Sequence, residues 1–174
     1  MRRPAAIALA LLVVLAACGN DPPPPPVANA AKVTKFSPAF REGERLGRLS
    51  FPRLHKSVRV TAGFKQATID RGPSWYPGSW LPGEGATIYI AGHRRTHGGP
   101  FRHLGELRRG DRLIFTTRQA VATYAVTRHA LIHERRTSIL TSGNREELRL
   151  QTCTIPAGHK RLLVFARPVS IKRR

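Results

Sequence analysis

The sequence predicts an all-β domain. Three observations carry that expectation. From about Phe40 onward, short runs rich in branched and aromatic residues alternate with turn-forming clusters. No segment sustains a long helical period, and 15 glycines and 14 prolines punctuate the 174 residues. Branched side chains pack well on a pleated surface, whereas Gly and Pro supply the backbone angles that turns demand. The length suits one compact domain with sequence left over for a targeting segment and a linker.

Taken in chain order, residues 1–19 read as a secretory signal, with Arg2 and Arg3, an apolar run over 5–17, then Cys18 and Gly19. The apolar run is shorter than the roughly twenty residues that a membrane-spanning helix needs. Leu15-Ala16-Ala17-Cys18 is similar to a bacterial lipobox, which implies lipid attachment at Cys18 and a tether outside the cytoplasm. Residues 20–40 form a linker, in which Pro22 to Pro26 favour an extended polyproline II spacer. The domain proper spans 41–174.

Within it, strands are expected over 45–51, 56–61, 87–91, 112–117, 120–132, 148–152 and 161–168. The Pro77-Gly78 and Pro82-Gly83 dipeptides make 74–85 a loop, and 96–107 has room for a short helix before the turn at Arg109-Gly110-Asp111. Several short strands with turns between them argue for a closed barrel or a sandwich, and periodicity does not choose between the two.

Lys and Arg total 30 against 10 Asp and Glu, a formal net charge of +20. Such a balance raises nucleic-acid binding as a function class. The basic residues run from Arg2 to Arg174 without an aromatic-interleaved stripe or a helix-turn-helix, zinc-finger or RRM signature, so no nucleic-acid partner is expected. A basic surface facing anionic lipid or an anionic envelope accounts for the same charge.

Only two cysteines occur, Cys18 and Cys153. With Cys18 removed or lipidated, Cys153 is a lone thiol in an exported chain, and either it is buried and inert or it is used. It ends the strand-like run Leu148-Arg149-Leu150-Gln151-Thr152, where a nucleophile would sit on a rigid element at a cleft rim. Arg161 opens the next apolar run, and a hairpin return would bring its guanidinium near the thiol, favouring thiolate and supplying hydrogen bonds to an oxyanion. Ile90-Ala91-Gly92-His93 presents a histidine just past a strand, the partner that thiol catalysis requires for protonating a leaving amine.

Two blocks of sequence resemble the sortase family. The first is Leu81-Pro82-Gly83, Ile90-Ala91-Gly92-His93-Arg94-Arg95-Thr96 and Pro100-Phe101 with Leu104 and Leu107, followed by Gly110-Asp111. The second is Leu150-Gln151-Thr152-Cys153 with Arg161-Leu162-Leu163-Val164-Phe165-Ala166. The Gly-His-Arg-x-Thr form is most similar to class E sortases. The resemblance implies a closed eight-stranded β-barrel with short helices in the connections. It also implies a cysteine transpeptidase that cleaves a sorting signal at a Thr-Gly bond through a thioacyl intermediate and joins the protein to an amino acceptor on the cell envelope.

Carried over, His93 is acid and base, Cys153 the nucleophile, and Arg161 the donor to substrate carbonyls and the oxyanion. Thr152, beside the thiol, and His97, close to His93, are the expected substrate contacts. No cofactor and no metal are expected, and no acidic cluster suggests calcium. The partners implied are exported proteins bearing a sorting signal and an amino acceptor of a cell-wall precursor or a pilin. The location implied is the extracytoplasmic face of the membrane.

Two departures stand out. Arg149 occupies a position where the family usually has Thr, which would alter the strand beside the nucleophile, and a lipid tether differs from the family's usual transmembrane anchor. Two other readings use the same residues. A zinc protein would draw on His93 and His97, His129 and His133, or His159 with Cys153. A non-catalytic basic binding module of the envelope would use none of the thiol chemistry.

Overall fold

The computed structural model describes residues 40–140, 143–156 and 158–174. Cys18, the signal segment and nearly all of the proline-rich linker lie outside the described residues. No described helix is long and apolar enough to cross a membrane.

Eight strands form a closed barrel: β1 (Arg45–Phe51), β2 (Lys56–Ala62), β3 (Ser74–Trp75), β4 (Thr87–Ala91), β5 (Arg112–Thr117), β6 (Ala120–His133), β7 (Glu147–Cys153) and β8 (Lys160–Arg173). Their spatial order is β1-β2-β3-β4-β7-β8-β6-β5, and β5 closes the ring on β1. β2 with β3 and β4 with β7 run parallel, and every other neighbouring pair is antiparallel. Closure decides between the barrel and the sandwich, which alternation alone left open. It also removes the exposed edge strands that an open sheet must protect. Register shifts at Arg45/Gly47, Thr123/Tyr124 and Val126/Arg128 supply the bends that a small barrel needs.

The barrel interior takes one buried residue or more from every strand, among them Leu49, Val58, Trp75, Ile88, Leu113, Tyr124, Leu148 and Val164. A second apolar cluster lies on the outer face of the β4, β8 and β6 portion: Tyr89, Ala91, Ile132, Ile139, Leu163 and Phe165, with Phe64, Tyr76 and Leu140 packed against it. Side chains alternate across a strand, so β4 sends Ile88 and Ile90 inward and Tyr89 and Ala91 outward. All five of its residues are buried, which is why its sequence is continuously apolar.

The structure differs from the sequence expectation in two short elements. Ser74–Trp75 is a strand and not loop: two residues bridge β2 and β4, held by Ser74 Oγ donating to the Gly63 carbonyl and Trp75 Nε1 donating 2.9 Å to the Trp80 carbonyl. Gln66–Asp70 forms a one-turn helix, α1, which had no periodic signal to find. The helix expected within 96–107 is a single 3-10 turn at Leu104–Glu106. Trp75, Tyr76 and Trp80 serve packing, as Trp75 is buried against Phe40 edge-on and Tyr76 meets Phe64.

Candidate active site

Strand register brings the candidate residues together. Cys153 is the last residue of β7 and pairs directly with Arg161 on β8. Residues opposite each other in an antiparallel pair project to the same face with their Cβ atoms roughly 5 Å apart. On the other side of β7, Ala91 of β4 is level with Gln151, and Gly92 N–H continues that parallel ladder by donating 3.0 Å to the Gln151 carbonyl. His93 follows Gly92, so it leaves the sheet level with Cys153. The thiol therefore stands on a central strand, with the histidine strand on one side and the arginine strand on the other.

The turn that presents His93 is built by its neighbours. Thr152 is buried, and its Oγ1 donates 2.8 Å to the Gly92 carbonyl. The amide of Phe101 donates 3.0 Å to the His93 carbonyl. A Cβ at position 92 would lie 2.8 Å from the Phe101 ring, which is itself packed edge-on against Phe51. Glycine is thus required by close approach. Arg94 Nη1 donates 3.3 Å to the Cys153 carbonyl, and its Nε is buried without a partner among the described residues. The Gly-His-Arg and Pro-Phe segments act as one packing unit around the histidine.

His93 Nε2 lies 2.8 Å from Asp70 Oδ1, at the end of α1. That hydrogen bond, with a second from Gln66 at 2.7 Å, holds the Asp70 carboxyl below its usual range, so it is ionised and only accepts. Nε2 must then carry the proton, which leaves Nδ1 as the nitrogen available for exchange. His97 stacks on His93 with ring centroids 4.6 Å apart, and its Nδ1 lies 3.8 Å from the same Asp70 oxygen.

Arg161 is held from the far side. Its Nη2 pairs with Glu134, at the turn after β6, and its Nη1 donates to the carbonyls of Gly158 and Lys160 at 2.7 and 3.0 Å. Glu134 also accepts from His159 Nδ1 at 2.7 Å, and the His159 hydrogen bond, then the Arg161 charge, hold its carboxyl below the usual value. These contacts fix the fork and leave Nε–H unused among the described residues.

The floor beside these residues is the outer face of β4, β7, β8 and β6. Burial pushes the Tyr89 phenol well above its ordinary value, so it stays protonated and donates to Gln151 Oε1. Arg149, the family departure, leaves β7 undistorted: it keeps register with Tyr89 and Phe165, pairs with Glu147 at 2.8 Å and donates 2.6 Å to the Ile139 carbonyl.

Each residue proposed from sequence, apart from Cys18 outside the described residues, has a defined place. Cys153 and Arg161 pair at one end of β7 and β8, and His93 lies just past the same end of β4. His97 lies over His93, and Thr152 is buried as a tie between β7 and Gly92. Sequence reasoning missed Asp70, which sits 23 positions before His93 in an unpredicted helix. It also missed Glu134 and the role of Arg94, although Arg94 stands inside the quoted motif.

A family model for the sortase domain matches residues 49–169. The chain belongs to the sortase family. Sortase D of Bacillus subtilis (strain 168) is 29% identical over 133 residues, covering 74% of this chain and 66% of that relative. Among solved structures, sortase E of Streptomyces avermitilis superposes with a TM-score of 0.69 at 26% identity, covering 77% of this chain and 93% of its own. Sortase E1 of Streptomyces coelicolor, solved with a tripeptide in its active site, gives 0.70 at 25% identity, covering 78% and 94%. The barrel is the fold of these sortases, class E among them.

Proposed function

We propose that this sortase is a cysteine transpeptidase. In this reading Cys153 attacks the Thr-Gly bond of a sorting signal, forming a thioacyl enzyme. His93 protonates the leaving amine and then deprotonates the incoming amino acceptor. Arg161 donates to the oxyanion and to substrate carbonyls, and being held by Glu134 it costs little to organise at the moment of reaction. Thr152 acts by fixing the Gly92 turn, and His97 borders the same cleft. Asp70 is a positioning residue that fixes the His93 tautomer and ring orientation.

The observation that supports the reading is the strand register: Cys153 is opposite Arg161, and His93 follows β4 two residues past Ala91, which is level with Gln151. The partners in this reading are exported proteins with that signal and an amine of a cell-wall precursor or pilin. Residues 1–19 direct export, Cys18 carries the lipid, and 20–40 lift the domain 41–174 from the outer face of the membrane.

The test mixes the soluble domain, in chelator, with Leu-Ala-x-Thr-Gly or Leu-Pro-x-Thr-Gly peptides and a glycine amine, and follows products by mass spectrometry. Cleavage between Thr and Gly with transfer to the amine, lost in Cys153→Ala and His93→Ala, is the expected result. Folded protein that yields no product with either peptide would instead favour a non-catalytic basic module.

A further inference from the structure

Asp70, His93 and His97 form a cluster whose one ligand atom each, Asp70 Oδ1 and a ring nitrogen from both histidines, lie within 4.8 Å of one another. It is the one such cluster of three among the described residues. From these side chains we infer a second property of the site: it binds a zinc-class divalent cation that shuts the enzyme reversibly. The inhibitory half of this inference rests on the transpeptidase reading; the binding half does not.

The donor set fits. Two imidazoles and one carboxylate are the ligands that borderline metals prefer, and three protein ligands leave a fourth position for water. In a tetrahedral shell with bonds of about 2.0–2.2 Å, donor atoms stand about 3.3–3.6 Å apart. The two observed separations from Asp70 Oδ1, 2.8 Å to His93 and 3.8 Å to His97, bracket that spacing, so small side-chain shifts suffice. Asp70 Oδ1 accepts from His93 and Gln66, and Oδ2 accepts no hydrogen bond among the described residues. The carboxylate therefore keeps lone pairs for a cation.

Access and placement agree. His97 is 46% exposed, so the cluster opens to solvent. His97 is also one of only two described non-glycine residues at positive φ, at +50°. Single residues held in that uncommon conformation concentrate at ligand clamps and functional sites. Here it folds the ring back over His93.

The consequence follows from shared atoms. Zinc on His93 Nε2 takes the lone pair there, and the ring proton shifts from Nε2 to Nδ1, so the ring stays neutral and no proton is released. With one nitrogen on the metal and the other carrying that proton, the ring has no free lone pair with which to take up and pass on the proton that the leaving amine needs. Removing the metal restores the free ring, and no bond to the substrate changes.

The experiment titrates zinc into the purified, metal-free domain against a chromophoric chelator, with Asp70→Asn, His97→Ala, Cys153→Ala and His159→Ala alongside. The last two report on the thiol and on the separate His133, Glu134 and His159 group. We expect one zinc per chain, weakened at least about tenfold in Asp70→Asn and His97→Ala and unchanged in the other two. No stoichiometric binding, binding insensitive to the first two changes, or binding lost with Cys153 or His159 would overturn the proposal.

In parallel, zinc should suppress transpeptidation with the same apparent constant, and chelator should restore it. Zinc that binds with no effect on turnover would overturn the inhibitory half. Protein inactive even in chelator would count against the transpeptidase reading, while the titration would still decide the metal site.

Discussion

At the scale of single residues, the Asp70–His93 hydrogen bond orients the histidine. The lowered Asp70 value means the contact persists across the neutral range and is lost only as pH falls through a value below the usual 3.8. Asp70→Asn should lower kcat about tenfold or more, short of the roughly hundred- to ten-thousandfold of a lost acid–base group, with KM little changed. Because the carboxylate also fixes which ring nitrogen carries the proton, the loss should fall on kcat and leave substrate binding alone; a kcat unchanged in Asp70→Asn would make Asp70 a merely structural neighbour. Arg161 is bound through its fork by Glu134 and two carbonyls. Arg161→Lys, which keeps the charge and loses the plane, should cost about a hundred- to a thousandfold in kcat. Cys153, His93 and Arg161 were legible because they sit in recognisable runs. Asp70 and Glu134 were not, since each joins the site through a single side chain from a distant turn.

At the scale of elements, the site depends on how the end of β4 meets β7. Gly92→Ala places a methyl carbon against a packed Phe101 ring and should destabilise the domain by about 1–3 kcal/mol, measured by denaturant unfolding. Thr152→Val leaves the buried Gly92 carbonyl without its donor and should cost about 1–3 kcal/mol. Its kcat should fall more than its stability loss implies, because the turn carrying His93 loosens. Wild-type turnover in either variant at wild-type stability would contradict this account of the turn. The seven long strands were legible from alternation and turn residues. β3 was not, because two residues between prolines carry no period and exist only by bridging β2 and β4. The one-turn α1 failed for the same reason.

At the scale of the whole molecule, barrel closure and net charge were legible to different degrees. Alternation along strands is common to barrels and sandwiches, and the closing β1–β5 pair is a long-range property that only the family resemblance anticipated. One half-buried group ties distant parts of the barrel together. Glu146, just before β7, accepts from Tyr124 at 2.6 Å and from the amides of Gly83 and Gly85 at 3.0 and 3.1 Å. Burial, its dominant influence, raises its carboxyl above the ordinary 4.5. Stability from a raised carboxyl is fullest in acid and is lost as pH rises through the folded-state value. Wild type should therefore gain on Glu146→Gln as pH falls from the neutral range toward the ordinary 4.5, read as the difference in their Tm values. A constant difference would show that the carboxyl is not raised.

The chemistry stands or falls on the Cys153 thiol, which intact-mass measurement reads without an intermediary. The soluble domain is mixed with sorting-signal peptide in the absence of any amine acceptor, in chelator, and quenched in acid. The account predicts a mass increase on Cys153 equal to the peptide acyl fragment ending in Thr, discharged by added glycine amine and absent in Cys153→Ala. Cleavage at Thr-Gly that survives Cys153→Ala, or folded protein that never acquires the adduct, would contradict it.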